Sequence, residues 1–263
     1  MFTVYHLIWG IICLIVIALS LYLLKKYKPE LNKVLDIMCI GSVVSEIIKT
    51  LSVIQIVPSS DGSVAYPYIE TINMPLHLCS IQILLIFYVR FTKNEKMRQI
   101  FLGFMYPTCT LGAFFALLLP SIFNPPQSYP VENAFIIPHV YQFFLYHCML
   151  VVFGLYIPMC SQVKLKSKNY LYTIEILLIM SFVSFYLNSA FASATYESGT
   201  LVSVDYMPNL FFTFVPPIPI ALTEIWHWYV YIAVLLCLAL ALIAIFYIPV
   251  FIKDRREKKT ATK

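Results

Sequence analysis

Seven apolar runs, separated by short polar or proline-containing stretches, account for most of the chain: residues 3–24, 34–57, 72–91, 98–120, 138–160, 170–194 and 219–252. Each is long enough, or nearly so, to cross about 30 Å of hydrocarbon as a helix of about 20 residues. The pattern predicts an all-α polytopic membrane bundle of seven transmembrane helices over residues 1–252, with a basic cytoplasmic tail at 253–263. The third run is the most broken by polar residues. Pro75 and Pro107 interrupt the third and fourth, and the last run is longer than a bilayer needs.

The connecting segments alternate in charge. Lys25, Lys26, Lys28 and Lys33 follow the first run; Arg90, Lys93, Lys96 and Arg98 separate the third from the fourth; Lys164, Lys166 and Lys168 separate the fifth from the sixth; Lys253, Arg255, Arg256, Lys258, Lys259 and Lys263 form the tail. The loops at 58–71, 121–137 and 195–218 carry no Lys or Arg but hold Asp61, Glu70, Glu132, Glu197 and Asp205. The positive-inside rule then places the N-terminus outside and the tail inside. The 195–218 loop is rich in Pro, Ser and Tyr, and Pro216, Pro217 and Pro219 lead into the last run. It is read either as a lid or as a connection.

Composition sharpens the class. The chain is 60% hydrophobic and 12% charged, against about 25% charged in soluble domains. The net charge of +5 follows topology and excludes a nucleic-acid role. The first basic residue comes after the first apolar run, so no cleavable signal peptide is expected. All seven cysteines fall in apolar runs or at their ends, which favours small buried side chains over disulfides.

Lys49 is the one Lys or Arg well inside a run, away from its ends. At about 1.5 Å per residue, Lys49, Glu46, His77, Cys79, His147, Asn188 and His227 come to depths of roughly 7–16 Å from the outer ends. Ionisable groups at such depth face a bundle interior or a wet cavity. In the second run, Ser42, Ser45, Glu46, Lys49 and Ser52 form one stripe. Glu46 and Lys49 can pair at i, i+3, either as a structural ion pair or in contact with a substrate. His77 and Cys79 diverge by about 200° on an ideal helix, so His77 is read as a hydrogen-bonding support. Gln142 and Tyr146 can contact a substrate or pack. His139 is read as lying near the outer interface, and His227 follows Thr223 and Glu224 by one turn.

A cysteine needs a base or cation nearby to act as a nucleophile, and a histidine on another helix can supply it. Such a pair performs acyl transfer through a thioester. One alternative is a transporter or small-molecule receptor whose polar layer binds a solute. Another is a seven-helix zinc hydrolase with ligands among His77, Cys79, His147 and His227, although no HxxxH or HExxH spacing is present. No cofactor is expected. The last run carries no Schiff-base lysine between Pro219 and Pro249.

The segments PLHLCSI (75–81), FFLYHCMLVVFGLYI (143–157) and EIWHWYVYI (224–232) resemble the YwaF family of bacterial integral membrane proteins. That family is similar to a eukaryotic transmembrane acyltransferase that moves fatty acyl chains onto ether lysophospholipids. The resemblance implies Cys79 as nucleophile and His147 as its partner. It also implies a phospholipid or lysolipid substrate and a bacterial plasma-membrane location. More distantly the sequence is similar to the androgen-induced membrane hydrolases, where a threonine replaces the cysteine. The long proline-rich approach to the last helix, and IWHWY in place of a Trp-Pro-Trp pattern, depart from the family.

Overall fold

A computed structural model describes residues 3–123, 129–206, 208–216, 220 and 222–261. The described residues are mostly helical (73%) and contain seven α-helices: α1 (Val4–Tyr27), α2 (Leu31–Val53), α3 (Leu78–Phe91), α4 (Glu95–Leu118), α5 (Pro138–Tyr156), α6 (Ser167–Ala190) and α7 (Ile225–Ala261). Five are long and apolar enough to cross a membrane: α1, α4, α5, α6 and α7. The contacts divide the chain into two compact units, residues 1–69 with 79–164, and residues 70–78 with 165–263.

Local chemistry sets the helix ends. Thr3 accepts the N–H of His6 at the start of α1, and Asn94 accepts that of Met97 at the start of α4, as capping side chains do. α1 stops at Lys28, which is left-handed (φ 45°), and Pro29 follows. α5 begins with Pro138 at its first position, where the missing N–H has no cost.

The first unit is organised around α5, which packs against α1, α2 and α4. Trp9 of α1 stacks between Phe135 (5.3 Å) and Phe144 (4.7 Å), and Tyr141 meets its edge. Its indole N–H donates to the Ala134 carbonyl at 3.3 Å. On the other side Gly154 lets α5 approach α4 closely. A Cβ there would lie 2.2 Å from Thr110 Oγ1, 2.9 Å from Thr110 N and 3.0 Å from Tyr106 O. Small residues serve this purpose where membrane helices meet. At one end of the unit Arg90 of α3 holds Asp36 of α2 through both carboxylate oxygens, at 2.5 and 3.3 Å, and Arg98 of α4 bonds Asn32.

In the second unit α6 packs on α7. Thr173 bonds the buried Tyr247 hydroxyl, Tyr170 sits edge-on to Tyr247 and Phe251, and Asp254 accepts the Ser167 N–H.

Several boundaries differ from those the apolar runs suggest. The second run, 34–57, gives a helix that ends at Val53. Ile54 is extended (ψ 132°), and Gln55–Pro58 pairs as β1 with β2 (Ala65–Tyr68) in an antiparallel hairpin. The β-branched sequence Val53-Ile54-Gln55-Ile56-Val57 suits a strand. The third run, 72–91, yields only the 14-residue α3. Met74 before Pro75 is extended (ψ 147°), as the residue before a proline must be. Pro75 therefore precedes the helix instead of kinking it.

The loop at 195–218 overlaps a second hairpin, β3 (Ser193–Glu197) with β4 (Thr200–Tyr206), so two small two-stranded sheets accompany the helices. α7 begins at Ile225, not at 219, and continues through most of the basic tail. Pro217, Pro219 and Lys263 lie outside the described residues.

Replacing Gly154 by alanine is expected to lower stability by about 1–3 kcal/mol, because two of the three clashing atoms are backbone and the helices must part. Gly10→Ala on α1, where nothing lies within 4 Å of the new Cβ, should be neutral. Thermal unfolding of the two variants in detergent checks the contrast.

Candidate functional site

Two polar stripes meet where α2 packs on α5. On α2 they are Ser42, Ser45, Glu46 and Lys49. On α5 they are His139, Gln142 and Tyr146, which follow at i, i+3 and i+7 and so share one face. Gln142 Nε2 donates to Ser45 Oγ at 2.6 Å. Lys49 Nζ lies 2.7 Å from Glu46 Oε1, their side chains 13% and 30% exposed. Glu46 is within electrostatic reach of the Tyr146 phenol, and Lys49 within that of His139. His139 is buried, and its Nδ1 lies 3.1 Å from the Tyr129 hydroxyl. The ion pair expected from the i, i+3 spacing is thus formed, and the stripe continues onto a second helix.

α3 brings in the cysteine. Cys79 is the second residue of that helix. Tyr146 Oη donates to the Cys79 carbonyl oxygen at 2.8 Å, which fixes the first turn of α3 against α5. One turn on, Gln82 is fully buried. Its Oε1 accepts from the Cys109 thiol at 3.3 Å, and its Nε2 donates to Thr108 Oγ1 at 3.1 Å. Thr108 donates onward to the Phe104 carbonyl. The polar site therefore spans α2, α3, α4 and α5 of one unit.

His147 is buried, and its Nδ1 is 2.6 Å from the Phe143 carbonyl oxygen. A carbonyl only accepts, so Nδ1 carries the hydrogen and Nε2 of the neutral ring keeps its lone pair. Its ring centre is 5.8 Å from that of Tyr146. Among the described residues no hydrogen bond joins the Cys79 thiol to the His147 imidazole.

The other residues singled out from the sequence lie in the second unit and have local partners. His77 precedes α3 and its Nε2 is 3.1 Å from the Ile72 carbonyl oxygen. The angle between His77 and Cys79 expected on a continuous helix therefore does not apply. Asn188 is fully buried. Its amide donates to Thr213 Oγ1 (2.9 Å) and the Leu210 carbonyl (3.2 Å), and its Oδ1 accepts the Leu210 N–H at 2.7 Å. Those bonds hold a strained turn in which Asn209, Phe211 and Phe212 all have positive φ, an uncommon state for bulky residues. His227 Nδ1 is 3.3 Å from both the Thr223 hydroxyl and the Glu224 N–H, an arrangement that starts α7. Among the described residues, no three His, Cys, Asp or Glu side chains gather as a metal site requires.

Gln82, Thr108 and Cys109 join the site without standing out among the polar positions of the sequence, and His139 is buried within it. The signal was present: His139 is in phase with Gln142 and Tyr146, and Gln82 is in phase with Cys79. The chain belongs to the TMEM164 family, whose model matches residues 1–247. Comparison with curated proteins and with solved structures gives no significant match.

The Gln142–Ser45 bond is expected to show a coupling of about 1 kcal/mol, a typical value for interhelical hydrogen bonds in membrane bundles. A double-mutant cycle with Gln142→Leu and Ser45→Ala, read by unfolding in detergent, measures it. Additive losses would mean that the stripes do not hold the helices together.

Proposed function

We propose that this protein crosses the membrane seven times with its N-terminus outside, and moves a lipid acyl group through Cys79 with His147 as base. The charge alternation supports the orientation. α2, at 23 residues, is about 34 Å long and can span the bilayer. α3, at 14 residues, is only about 21 Å long. A third crossing therefore includes segment 70–77, which holds only the short 3-10 helix Thr71–Asn73. Irregular backbone at membrane depth must be buried in protein or meet water, and a wetted approach to Cys79 is what an ester-cleaving thiol needs.

The observation that carries the reading is the Tyr146–Cys79 hydrogen bond. It ties the turn bearing the thiol to the helix bearing His147 and its Nε2 lone pair. In the proposed reaction His147 takes the thiol proton, and the sulfur bonds to the ester carbonyl carbon. The alkoxide then leaves with that proton. A lysolipid hydroxyl or water, deprotonated by the same imidazole, attacks the thioester and restores the thiol. The sulfur and imidazole come together when substrate binds, as catalytic bonds that are long in the resting state do. Lys49 supplies positive charge for the developing oxyanion. The resemblance to the YwaF family and its acyltransferase relative supports the reaction class, a membrane-lipid substrate and a plasma-membrane location.

A second reading, a transporter or receptor that binds a solute along the α2–α5 stripes, is favoured by one observation: the Cys79 thiol makes no hydrogen bond with His147.

Cys79→Ala should abolish labelling by a chloroacetamide lipid probe and change the acyl composition of phospholipids in cells carrying the protein. His147→Ala should slow labelling at least tenfold. Lipidomics and probe labelling of native membranes read both. Unchanged lipids and labelling in Cys79→Ala would remove the enzymatic reading and leave the solute-binding one.

A further inference from the structure

A second pair of thiols lies apart from Cys79, where α1 packs on α5. Cys13 and Cys148 are 4% and 1% exposed. The Cys148 sulfur lies 4.0 Å from the Cys13 carbonyl oxygen, so Cys148 sits against the turn of α1 that carries Cys13. Both belong to the core cluster built on Trp9, Val140 and Phe144. The Trp9–Phe144 stack, with rings 4.7 Å apart and nearly parallel, holds the two helices in a fixed register about one turn away from the sulfurs. Such packing keeps one thiol in front of the other. All seven cysteines are free.

We infer that Cys13 and Cys148 form an oxidisable dithiol, a redox modification site that closes to a disulfide joining α1 to α5. A disulfide tolerates only a narrow range of Cα separations, and a sulfur 4.0 Å from the other cysteine's carbonyl oxygen puts the two residues on directly facing turns. The apolar surroundings select the oxidant: a membrane-permeable two-electron acceptor, for which diamide is the probe. Each sulfur loses its proton, one S–S bond forms, and two protons and two electrons reduce the azo group to a hydrazine. Cys148 directly follows His147, so the bond would pin the turn of α5 that carries the imidazole. The inference stands without the acyl-transfer reading, because its readout is the cross-link itself.

The test is diamide treatment of the full-length protein in native membranes. N-ethylmaleimide then blocks the remaining thiols, and digestion and mass mapping follow. The expected product is one Cys13 peptide joined to one Cys148 peptide, two hydrogens lighter than their sum and separated by dithiothreitol. It should vanish in Cys13→Ala and in Cys148→Ala and persist in Cys79→Ala. Recovery of Cys13 and Cys148 as unlinked thiols at diamide concentrations that oxidise other cysteines of the chain would overturn the inference. So would a cross-link that appears only after denaturation. The wild-type measurement decides the matter even if a variant fails to fold.

Discussion

A charged pair inside an apolar helix has only one acceptable side to turn to. Lys49 and Glu46 sit on α2 among mostly apolar residues, and a charge placed in apolar surroundings without a partner is costly. The pair therefore fixes the rotation of α2. Ser42, Ser45, Glu46 and Lys49 turn toward the bundle, while Ile37, Ile40, Val44, Ile47 and Leu51 are exposed on the other faces. α5 answers with His139, Gln142 and Tyr146, and the hydrogen bond from Gln142 to Ser45 joins the seam. Once α5 is oriented in this way, its opposite faces must serve α1 and α4. They do so through the Trp9 stack and the close approach at Gly154.

The same seam determines where α3 can start. Tyr146 lies at the end of the α5 stripe, and its hydroxyl reaches the Cys79 carbonyl. Pro75 holds Met74 extended, which ends the short 3-10 helix Thr71–Asn73, and a turn then leads into α3 with Cys79 in its first coil. Gln82, one turn further, then meets Thr108 and Cys109 on α4. Thr108 directly follows Pro107, where α4 lacks a backbone N–H. Gln82 thus joins α3 to α4 through both ends of its amide.

The long apolar runs were legible because hydrophobicity over about 20 residues is a strong signal. α1, α4, α5 and α6 lie within a few residues of their expected bounds. The Glu46–Lys49 pair followed from helical spacing alone. The run through 34–57 misled because Val, Ile and Ile suit a strand as well as a helix, and hydrophobicity does not separate the two. His77 and Cys79 misled because the argument assumed a continuous helix through Pro75. Asn188 looked like a member of a shared polar layer, yet its amide is committed to Leu210 and Thr213. Only the backbone strain at 209–212 explains that demand, and no periodicity in the sequence encodes it. Gln82 and Cys109 are not legible because each has its partner on another helix, and the burial of His139 depends on Tyr129 from the segment before α5.

On the proposed reading, one further consequence concerns how the two reacting groups are held. A serine-type triad positions nucleophile and base through their bond to each other. Here the imidazole is held by Nδ1–H to the Phe143 carbonyl, and the backbone of the cysteine by the Tyr146 hydroxyl. The first anchor lies within α5 and the second joins α5 to α3. In a low dielectric an ion pair forms only if its geometry offsets the loss of hydration. An acyl ester entering between thiol and imidazole completes the geometry as it binds, and the charge develops only where Lys49 can stabilise it.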